Sequence, residues 1–341
     1  MSKKGDTMKK LLMILAALLI APQAFTQTTN IRFTLDWAIQ GPQAMFLVAQ
    51  DRGYFAEEGL NVTIDRGYGS AGTVSQIAGG AYDIGFADIN SMIEFNVQNP
   101  NQALQSIAVI YNYPPFAILT TRDRNIRRPQ DLVGKRIGAP NFDSSYRLWP
   151  VFAKAVGIDP DSVTWVNMDP TLREPTLMRR QVDAIGAFYF TAALNLEAAG
   201  VNMNDIVSFL YAENGVDVYG NAIMAPRAFL ERNPEAVRGM MRALTKAWHY
   251  TLANPESAIE SVRRADGLTD SAVELARLQL AIETNIMTPE VHEVGFGGVD
   301  KARLENSIDQ IVEAFGLPST PSVDSIFTDA YLPPLRERLP R

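Results

Sequence analysis

A glycine-rich stretch at residues 67–90, GYGSAGTVSQIAGGAYDIGFADIN, has the order of a loop, a short helix, a tight turn and a strand. The glycines around Ser70 let the backbone approach a bound molecule and leave its amide N–H groups unshielded. The helix predicted at residues 73–78 begins at this loop, so its first N–H groups are free to bind an acceptor or an anion. Gly79 and Gly80 are typical of a helix end.

The strand that follows this turn supplies a second candidate ligand-binding segment, at its carboxyl end. Residues 82–87 are mostly apolar, as is typical of a buried parallel strand, and Asp88 and Asn90 come directly after them. Open α/β sheets bind ligands beyond the carboxyl ends of their strands. A glycine-rich turn that binds nothing is the alternative, and the glycines alone favour neither interpretation.

Two further strand ends carry candidate contacts. Trp37 follows the predicted strand 31–35, and it either stacks on a ligand or fills a core or lid position. Ser144 and Ser145 follow the predicted strand 135–139. They are good N-cap residues for the next helix, and capping is compatible with ligand contact.

The glycine-rich pattern occurs a second time. QVDAIGAF at residues 181–188 matches AYDIGFAD at residues 81–88, and each is an apolar strand that begins with an aspartate. The preceding loops also correspond, residues 69–73 to residues 169–173. Two similar βα units predict two lobes with similar ligand-facing edges. Arg173, in the second loop, is either a contact for an anionic group or a solvated loop charge.

The chain length of 341 residues, with 47% hydrophobic and 20% charged residues, is typical of a two-domain globular protein. Adjacent prolines at residues 114–115, between two apolar runs, predict a strand that leaves one sheet and enters another. The apolar run at residues 218–225 predicts the return. The expected organisation is lobe 1 at residues 28–113 and 222–331, lobe 2 at residues 114–221, and a mobile tail at residues 332–341.

Residues 1–27 have the features of a secretory signal peptide. Four lysines precede an apolar run at residues 11–21 that is too short to span a membrane stably, and small and polar residues follow. A short membrane anchor is the alternative. The chain has no cysteine, which excludes disulfides, a thiolate nucleophile and the cysteine of a lipid-anchored export signal. The net charge of −7 argues against a nucleic-acid partner.

No catalytic constellation stands out. The two histidines, His249 in a long predicted helix and His292 in a turn, suit structural roles. The nucleophile elbow G-x-S-x-G and the phosphate-binding loop are absent, and nothing indicates a metal site or a cofactor. Aromatic and small polar residues at loop edges remain, and they suit binding without reaction.

Several segments together resemble one known family. They are Asp36-Trp37, LVAQDRGYFAEEGLNV at 47–62, GSAGT at 69–73, IAGGAYDIGFAD at 77–88, DLVGKRIGAP at 131–140, QVDAIGAF at 181–188 and FLERNPEAVRGMMRAL at 229–244. This set resembles the solute-binding proteins of the nitrate/sulfonate/taurine and thiamine-pyrimidine-precursor ABC importers. The resemblance implies an α/β periplasmic binding protein fold of type II, with two α/β lobes and a ligand cleft between them. It also implies a periplasmic monomer that delivers a small molecule to a membrane permease.

The resemblance also implies pocket positions in this sequence. They are Trp37, Ser70, Ala71, Gly72, Thr73, Asp88, Asn90, Ser144 and Ser145, with the loop after Ala187. To these we add Gln40, Arg173, Phe188 and Tyr189, and the crossover residues Tyr113, Tyr219 and Asn221.

The residues at this predicted cleft indicate the kind of ligand. Members of the family that bind pyrimidine precursors have a glutamate soon after the strand that here ends at Ala187. This chain has no acidic residue until Glu197, which disfavours a pyrimidine. Trp37 on one lobe and Phe188 to Phe190 on the other instead predict an aromatic or heteroaromatic solute, with or without a carboxylate or sulfonate.

Other functions remain open at this point. A pyrimidine precursor, an aliphatic sulfonate, taurine or nitrate are the alternative ligands, and a receptor for a membrane sensor is an alternative role. The fungal thiamine-pyrimidine synthases share the fold, but they rely on a cysteine-rich motif and a pocket histidine. Because this chain has no cysteine, we expect a binding protein and not an enzyme.

Overall fold

The computed structural model describes residues 28–341, so the predicted signal peptide lies outside the described residues. Ten strands form two five-stranded sheets. The first sheet has the order β2-β1-β3-β10-β4, built from β1 (Thr29–Thr34), β2 (Leu60–Asp65), β3 (Ile84–Asp88), β4 (Leu104–Val109) and β10 (Asn221–Pro226). The second has the order β7-β6-β8-β5-β9, built from β5 (Phe116–Thr121), β6 (Arg136–Ala139), β7 (Thr164–Asn167), β8 (Ala184–Phe188) and β9 (Ile206–Leu210).

Helices cover the two sheets. Those that precede β10 are α1 (Ala44–Asp51), α2 (Tyr54–Glu57), α3 (Ser70–Ala78), α4 (Ile89–Gln98), α5 (Ser144–Arg147), α6 (Trp149–Ala155), α7 (Arg173–Met178) and α8 (Tyr189–Ala198). Those that follow it are α9 (Arg227–Arg232), α10 (Pro234–Ala253), α11 (Pro255–Ala265), α12 (Ser271–Ala281), α13 (Val291–Val294), α14 (Lys301–Phe315), α15 (Val323–Ile326) and α16 (Leu335–Arg338). Within residues 28–341, no helix combines the length and apolar character that a membrane span requires.

The repeated sequence pattern corresponds to a repeated structure. β3 and β8 occupy the same central position, each parallel to one neighbour and antiparallel to the other. Asp83 and Asp183, which begin the two motifs, each accept a hydrogen bond at 2.8 Å from a backbone N–H of the neighbouring strand, that of Arg32 and Arg136. The repeated aspartates therefore fix strand registration, and the prediction of one βα design in two lobes is confirmed.

Two crossing segments join the sheets, residues 110–115 and residues 211–220. They lie side by side, because the Gly220 N–H donates to the Tyr111 carbonyl at 2.9 Å and the Ile110 N–H donates to the Asn221 carbonyl at 2.9 Å. The return strand begins at Asn221 and not at residue 218 as predicted. At Gly220 a Cβ atom would lie 2.9 Å from the Tyr111 Cβ, so glycine permits this close pairing.

The carboxyl-terminal segment is docked, which corrects the prediction of a mobile tail. The Arg338 side chain is buried and donates from Nη1 to the carbonyls of Val294 and Phe296, both at 2.8 Å. The Phe296 N–H returns a hydrogen bond to the Arg338 carbonyl at 2.8 Å. Arg338 therefore holds this segment against backbone acceptors more than forty residues earlier in the chain.

Candidate ligand-binding site

A pocket lies between the lobes, at the carboxyl ends of strands from both sheets. The first lobe contributes Asp36, Trp37, Gln40, Gln43, Gly69 and Ser70, and the second contributes Asp143, Ser144, Arg173, Phe188, Phe190 and Thr191. These residues follow β1, β2, β6, β7 and β8, which is where open α/β sheets bind ligands. The repeated βα units therefore form two walls of one cleft.

Aromatic side chains come from both walls. Trp37 follows β1 and is partly exposed to the pocket. Phe188 ends β8, and its ring lies edge-to-face against Phe190 at 5.9 Å between centroids. Phe190 packs in the same way on the buried Tyr111 of the first crossing segment. The pocket thus offers apolar ring surface on either side of the cleft.

A buried carboxyl closes the first wall. Asp36 accepts a hydrogen bond from Asn221 Nδ2 at 2.7 Å and a longer one from Gln43 Nε2 at 3.5 Å. Burial raises the pKa of Asp36 to about 7, while the hydrogen bonds from Asn221 and Gln43 act in the opposite direction and the Asp88 charge adds to the rise. Its two partners are neutral amides, so this carboxyl faces the pocket without a cation beside it.

The second wall holds a buried ion-pair cluster. Arg173, only 2% exposed, donates to Glu174 Oε1 from Nη2 at 2.8 Å and to Asp143 Oδ2 from Nη1 at 3.4 Å. Burial raises the pKa of Asp143, although the Arg173 charge opposes that rise. For Arg173, burial favours loss of the proton, but the two carboxylates outweigh it and the pKa is raised. Two carboxylates share this one guanidinium, so its charge is already balanced.

Some buried polar atoms of the pocket have no partner among the described residues. They are Gln43 Oε1 on the first wall and Ser144 Oγ on the second. A buried polar atom without a hydrogen bond is costly, so such atoms mark places where a ligand or water is expected to bind. One acceptor and one hydroxyl without partners therefore belong to lining residues on opposite walls.

The structure divides the sixteen predicted site residues into two sets. Those that line the pocket are Trp37, Gln40, Ser70, Ser144, Arg173 and Phe188. Those that do not are Ala71, Gly72, Thr73, Asp88, Asn90, Tyr113, Ser145, Tyr189, Tyr219 and Asn221. The solvated-charge alternative for Arg173 is wrong, because its side chain is buried and donates to two carboxylates, whereas its contact with an anionic group stays a prediction.

Most residues of the second set have structural roles. Thr73 Oγ1 donates to the Leu35 carbonyl and Ser145 Oγ to the Ala187 carbonyl, at 3.0 and 2.7 Å. Asp88 is the N-cap of α4, where its side chain accepts from the Asn90 and Ser91 backbone N–H groups. Asn221 acts on the pocket indirectly, through Asp36.

Tyr113 and Tyr219 lie on the crossing segments, away from the pocket. Arg303 of α14 packs over both rings, at 5.3 Å from the Tyr113 centroid and 4.3 Å from the Tyr219 centroid. Tyr219 donates to Glu290 Oε1 at 2.5 Å. Both tyrosines therefore support the connection between the lobes, and neither lines the pocket.

Phe190 lines the pocket, as the aromatic edge predicted at residues 188–190 implies. Five other lining residues were not predicted, namely Asp36, Gln43, Gly69, Asp143 and Thr191. Three of them, Asp36, Gly69 and Asp143, directly precede a predicted residue, so extending each predicted site by one residue would have included them. Gln43 carried no such signal, because it lies in the Gly41–Gln43 turn and reaches the pocket only through the fold.

Gly69 offers a test of how closely the walls approach. Its φ is +121° and a Cβ atom would lie 2.3 Å from the Phe142 ring of the second lobe. We expect Gly69→Ala to hold the lobes apart and to weaken solute binding at least about tenfold. Gly72→Ala is the matched control, because open space surrounds Gly72 on α3 and alanine favours a helix. Equal affinities of the two variants would show that closure does not need this contact.

Ionisation of Asp36 predicts a pH-dependent stability. Its pKa rises from 3.8 to about 7, so the stability that the neutral carboxyl contributes is complete below the lower value and is lost as the pH rises to the upper one. Asp36→Asn stays neutral throughout. Its free energy of unfolding relative to the wild type should therefore increase by about 1–3 kcal/mol between roughly pH 4 and pH 7. Denaturant titrations across this range measure the difference, and a constant difference would contradict the assigned burial.

Comparison with known proteins assigns this chain to a family. The family model described as NMT1/THI5 like matches residues 42–258. This chain belongs to the NMT1/THI5-like family. The resemblance read from the sequence is thereby confirmed.

Relatives of this NMT1/THI5-like protein are named for different activities. The formylaminopyrimidine-binding protein of Halalkalibacterium halodurans is 23% identical, over 73% of this chain and 77% of its own. The riboflavin-binding protein RibY of Chloroflexus aurantiacus is 24% identical, over 92% and 89%. The 4-amino-5-hydroxymethyl-2-methylpyrimidine phosphate synthase of Aspergillus parasiticus is 25% identical, over 68% and 70%.

Solved structures confirm the fold class of this NMT1/THI5-like protein. The Candida albicans CA3427 gene product, described as having the generic periplasmic binding protein fold, superposes with a TM-score of 0.68 at 15% identity, covering 89% of this chain and 97% of its own. The alkanesulfonate-binding protein SsuA of Xanthomonas axonopodis pv. citri, bound to MOPS, gives 0.67 at 17% identity, over 88% and 99%. At these identities the likeness concerns the fold alone.

Proposed function

We propose that this protein is the substrate-binding component of an ABC importer, which captures a small aromatic or heteroaromatic solute in the interlobe cleft and delivers it to a membrane permease. The observation that carries the proposal is the pocket itself, with Trp37 on one wall and Phe188 and Phe190 on the other. Rings on opposite walls suit a planar guest. The relatives named for riboflavin and formylaminopyrimidine binding support the same class.

The charges of the pocket favour a solute that is not anionic. Asp36 and Asp143 both line it, and its one cation, Arg173, is held by Asp143 and Glu174. A carboxylate or sulfonate would meet no free positive charge among the lining residues, and desolvating an unpaired anion is expensive. We therefore propose a neutral ring with N–H or O–H donors for Asp36 and Gln43, and place anionic aromatics, aliphatic sulfonates, taurine and nitrate second. A pyrimidine stays the alternative within the heteroaromatic class.

Capture is proposed to occur by closure of two lobes, residues 28–113 with 222–331 and residues 114–221. The crossing segments at 110–115 and 211–220 would form the hinge. Contacts across the cleft support a closed arrangement, such as Thr191 Oγ1 with Gln40 Oε1 at 3.1 Å. A solute that touches both walls stabilises the closed state, because its contacts with the second wall exist only there.

We also propose a periplasmic location and a monomeric state for the mature protein. The signal-peptide features of residues 1–27 and the absence of cysteine support export without a lipid anchor. Two proteins of similar fold that are described as periplasmic, the aliphatic sulphonate binding protein SsuA of Escherichia coli and the nitrate-binding protein NrtA of Synechocystis PCC 6803, agree with that compartment. The membrane permease is the partner to which the closed form would be presented.

A synthase-like enzyme is the alternative activity, because two relatives carry that name. The pocket offers no support for it. His249 bonds the Glu337 carbonyl at 2.8 Å and His292 lies on the short helix α13, so neither lines the pocket. Residues 28–341 contain no group of three His, Asp or Glu side chains placed to share a metal ion. We therefore propose that the solute leaves the pocket chemically unchanged.

A thermal-shift screen tests the proposed function. The compounds are riboflavin, formylaminopyrimidine, a neutral aromatic amide, its matching aromatic carboxylate, MOPS and nitrate. We expect a neutral heteroaromatic compound to raise the melting temperature most, and mass spectrometry of the recovered compound to show no change. The absence of any shift across these classes, or turnover of a bound compound, would contradict the proposal.

Two adjacent serines separate pocket contact from structure. Ser144 lines the pocket and its Oγ has no partner among residues 28–341, whereas Ser145 Oγ donates to the Ala187 carbonyl at 2.7 Å. We expect Ser144→Ala to weaken binding about threefold to tenfold with no loss of stability. We expect Ser145→Ala to lower the free energy of unfolding by about 1 kcal/mol. Calorimetry of both variants, with the best compound of the screen, gives the comparison. If instead Ser144→Ala lowered stability and Ser145→Ala weakened binding, the ligand would not contact Ser144 at the start of α5.

A further inference from the structure

A chain of buried polar contacts crosses the cleft beside the pocket. It begins at the Gly41–Gln43 turn, where the Gly41 N–H donates to Glu274 Oε2 at 2.6 Å. Glu274 lies on α12 and also accepts from Arg277 of the same helix. A Cβ atom at Gly41 would lie 2.0 Å from the Glu274 carbonyl oxygen, so only glycine allows this approach. The turn that carries Gln43 into the pocket is therefore fixed against α12.

Arg277 carries the chain of contacts into the second lobe. Its Nη2 donates to Asn195 Oδ1 on α8 at 2.8 Å. Asn195 Nδ2 in turn donates to Glu174 Oε1 at 3.4 Å, and Glu174 holds Arg173 in the pocket wall. Arg277 and Arg173 are each 2% exposed. Water and salt therefore screen these contacts far less than they screen surface charges.

We infer that Arg277 is a positioning residue which, through Asn195, couples closure of the lobes to the arrangement of the charged pocket wall. Arg277 does not line the pocket. If the lobes separate, it keeps Glu274 on its own helix and loses Asn195 on the other lobe. A charged donor binds its acceptor more strongly than a neutral one does, so this contact favours the closed state. Tighter capture of a solute is the consequence, and that part alone rests on the proposed function.

A second interlobe contact provides the matched control. Lys154 of α6 pairs with Glu313 of α14, and their side chains are 55% and 70% exposed. Exposed ion pairs contribute little, because water competes for both charges. Lys154 has no bond to a pocket residue, so Lys154→Gln removes an interlobe charge pair without touching the buried network.

The test measures lobe closure in the ligand-free protein with two spin labels. The chain has no cysteine, so Gln76→Cys on α3 and Met178→Cys on α7 give two unique sites, one on each lobe. Both positions are exposed. Pulsed electron–electron double resonance then gives the distribution of distances between the two labels, for the labelled parent and for each further variant.

We expect Arg277→Gln and Asn195→Ala each to lower the ratio of closed to open molecules about tenfold, as loss of one hydrogen bond to a charged group implies. The double variant should lose no more than either single one, because both remove the same contact. Lys154→Gln should resemble the parent. Asn195→Ala leaves the Glu274–Arg277 pair intact, so it decides the question if Arg277→Gln does not fold.

Parent-like distances in Asn195→Ala, or an equal shift in Lys154→Gln, would overturn the inference. The measurement needs no solute, so its outcome is independent of the proposed function. A screen in which no compound binds would overturn the proposed function and leave the role of Arg277 to be decided by the distances.

Discussion

Trp37→Ala is expected to weaken binding of the best compound in the screen by about thirtyfold to a hundredfold. Trp37 lines the pocket on the first wall, and truncating a central aromatic contact typically costs about 2 kcal/mol or more. Because Trp37 is only partly buried, its loss should change the stability of the ligand-free protein by less than about 1 kcal/mol. Isothermal titration calorimetry and denaturant unfolding measure the two quantities.

Tyr68→Ala is the matched control for Trp37→Ala. Tyr68 lies just before Gly69, but its side chain is 66% exposed and does not line the pocket. We expect its affinity to stay within about twofold of the wild type. If Trp37→Ala binds as tightly as Tyr68→Ala, the aromatic wall does not hold the solute and the pocket has been misassigned.

Asp88→Ala is expected to lower the free energy of unfolding by about 2–4 kcal/mol, the second large effect. Asp88 is fully buried at the start of α4. Its carboxyl accepts four hydrogen bonds, from the backbone N–H and Nδ2 of Asn90 and from the backbone N–H and Oγ of Ser91, at 2.8–3.2 Å. Alanine would leave all four donors without this acceptor.

Asp88→Asn separates this structural role from ligand contact. The amide oxygen can still cap α4, so the loss of stability should be smaller, and the affinity should stay close to that of the wild type because Asp88 does not line the pocket. Denaturant unfolding of both variants and calorimetry of the asparagine variant supply the measurements. A stable Asp88→Asn protein that no longer binds would restore Asp88 as a ligand contact.

The fold was largely predictable from local sequence. The repeated motifs that begin with Asp83 and Asp183 predicted two lobes, because each βα unit pairs with neighbouring strands in a sheet of its own. The prolines at 114–115 located the first crossing segment. Strand ends at Trp37, Ser70, Ser144 and Phe188 located the pocket, since the carboxyl ends of strands meet at one edge.

The features that the sequence did not predict depend on contacts between residues far apart in the chain. Arg173 looked like a free cation because nothing in the sequence shows that Asp143 folds against it. Asp88 looked like a ligand contact because a strand-end acid and a helix cap have the same local pattern. Residues 332–341 were predicted to be mobile because the acceptors that hold Arg338, the carbonyls of Val294 and Phe296, lie more than forty residues earlier.

Solution X-ray scattering with and without the best compound tests the central claim most directly. If the cleft closes on the solute, the radius of gyration of the wild-type protein should fall at saturation, and the compound should be recovered intact. The same compound should leave the radius of Trp37→Ala unchanged at a concentration that saturates only the wild type. An unchanged radius in the saturated wild-type protein would contradict capture by lobe closure.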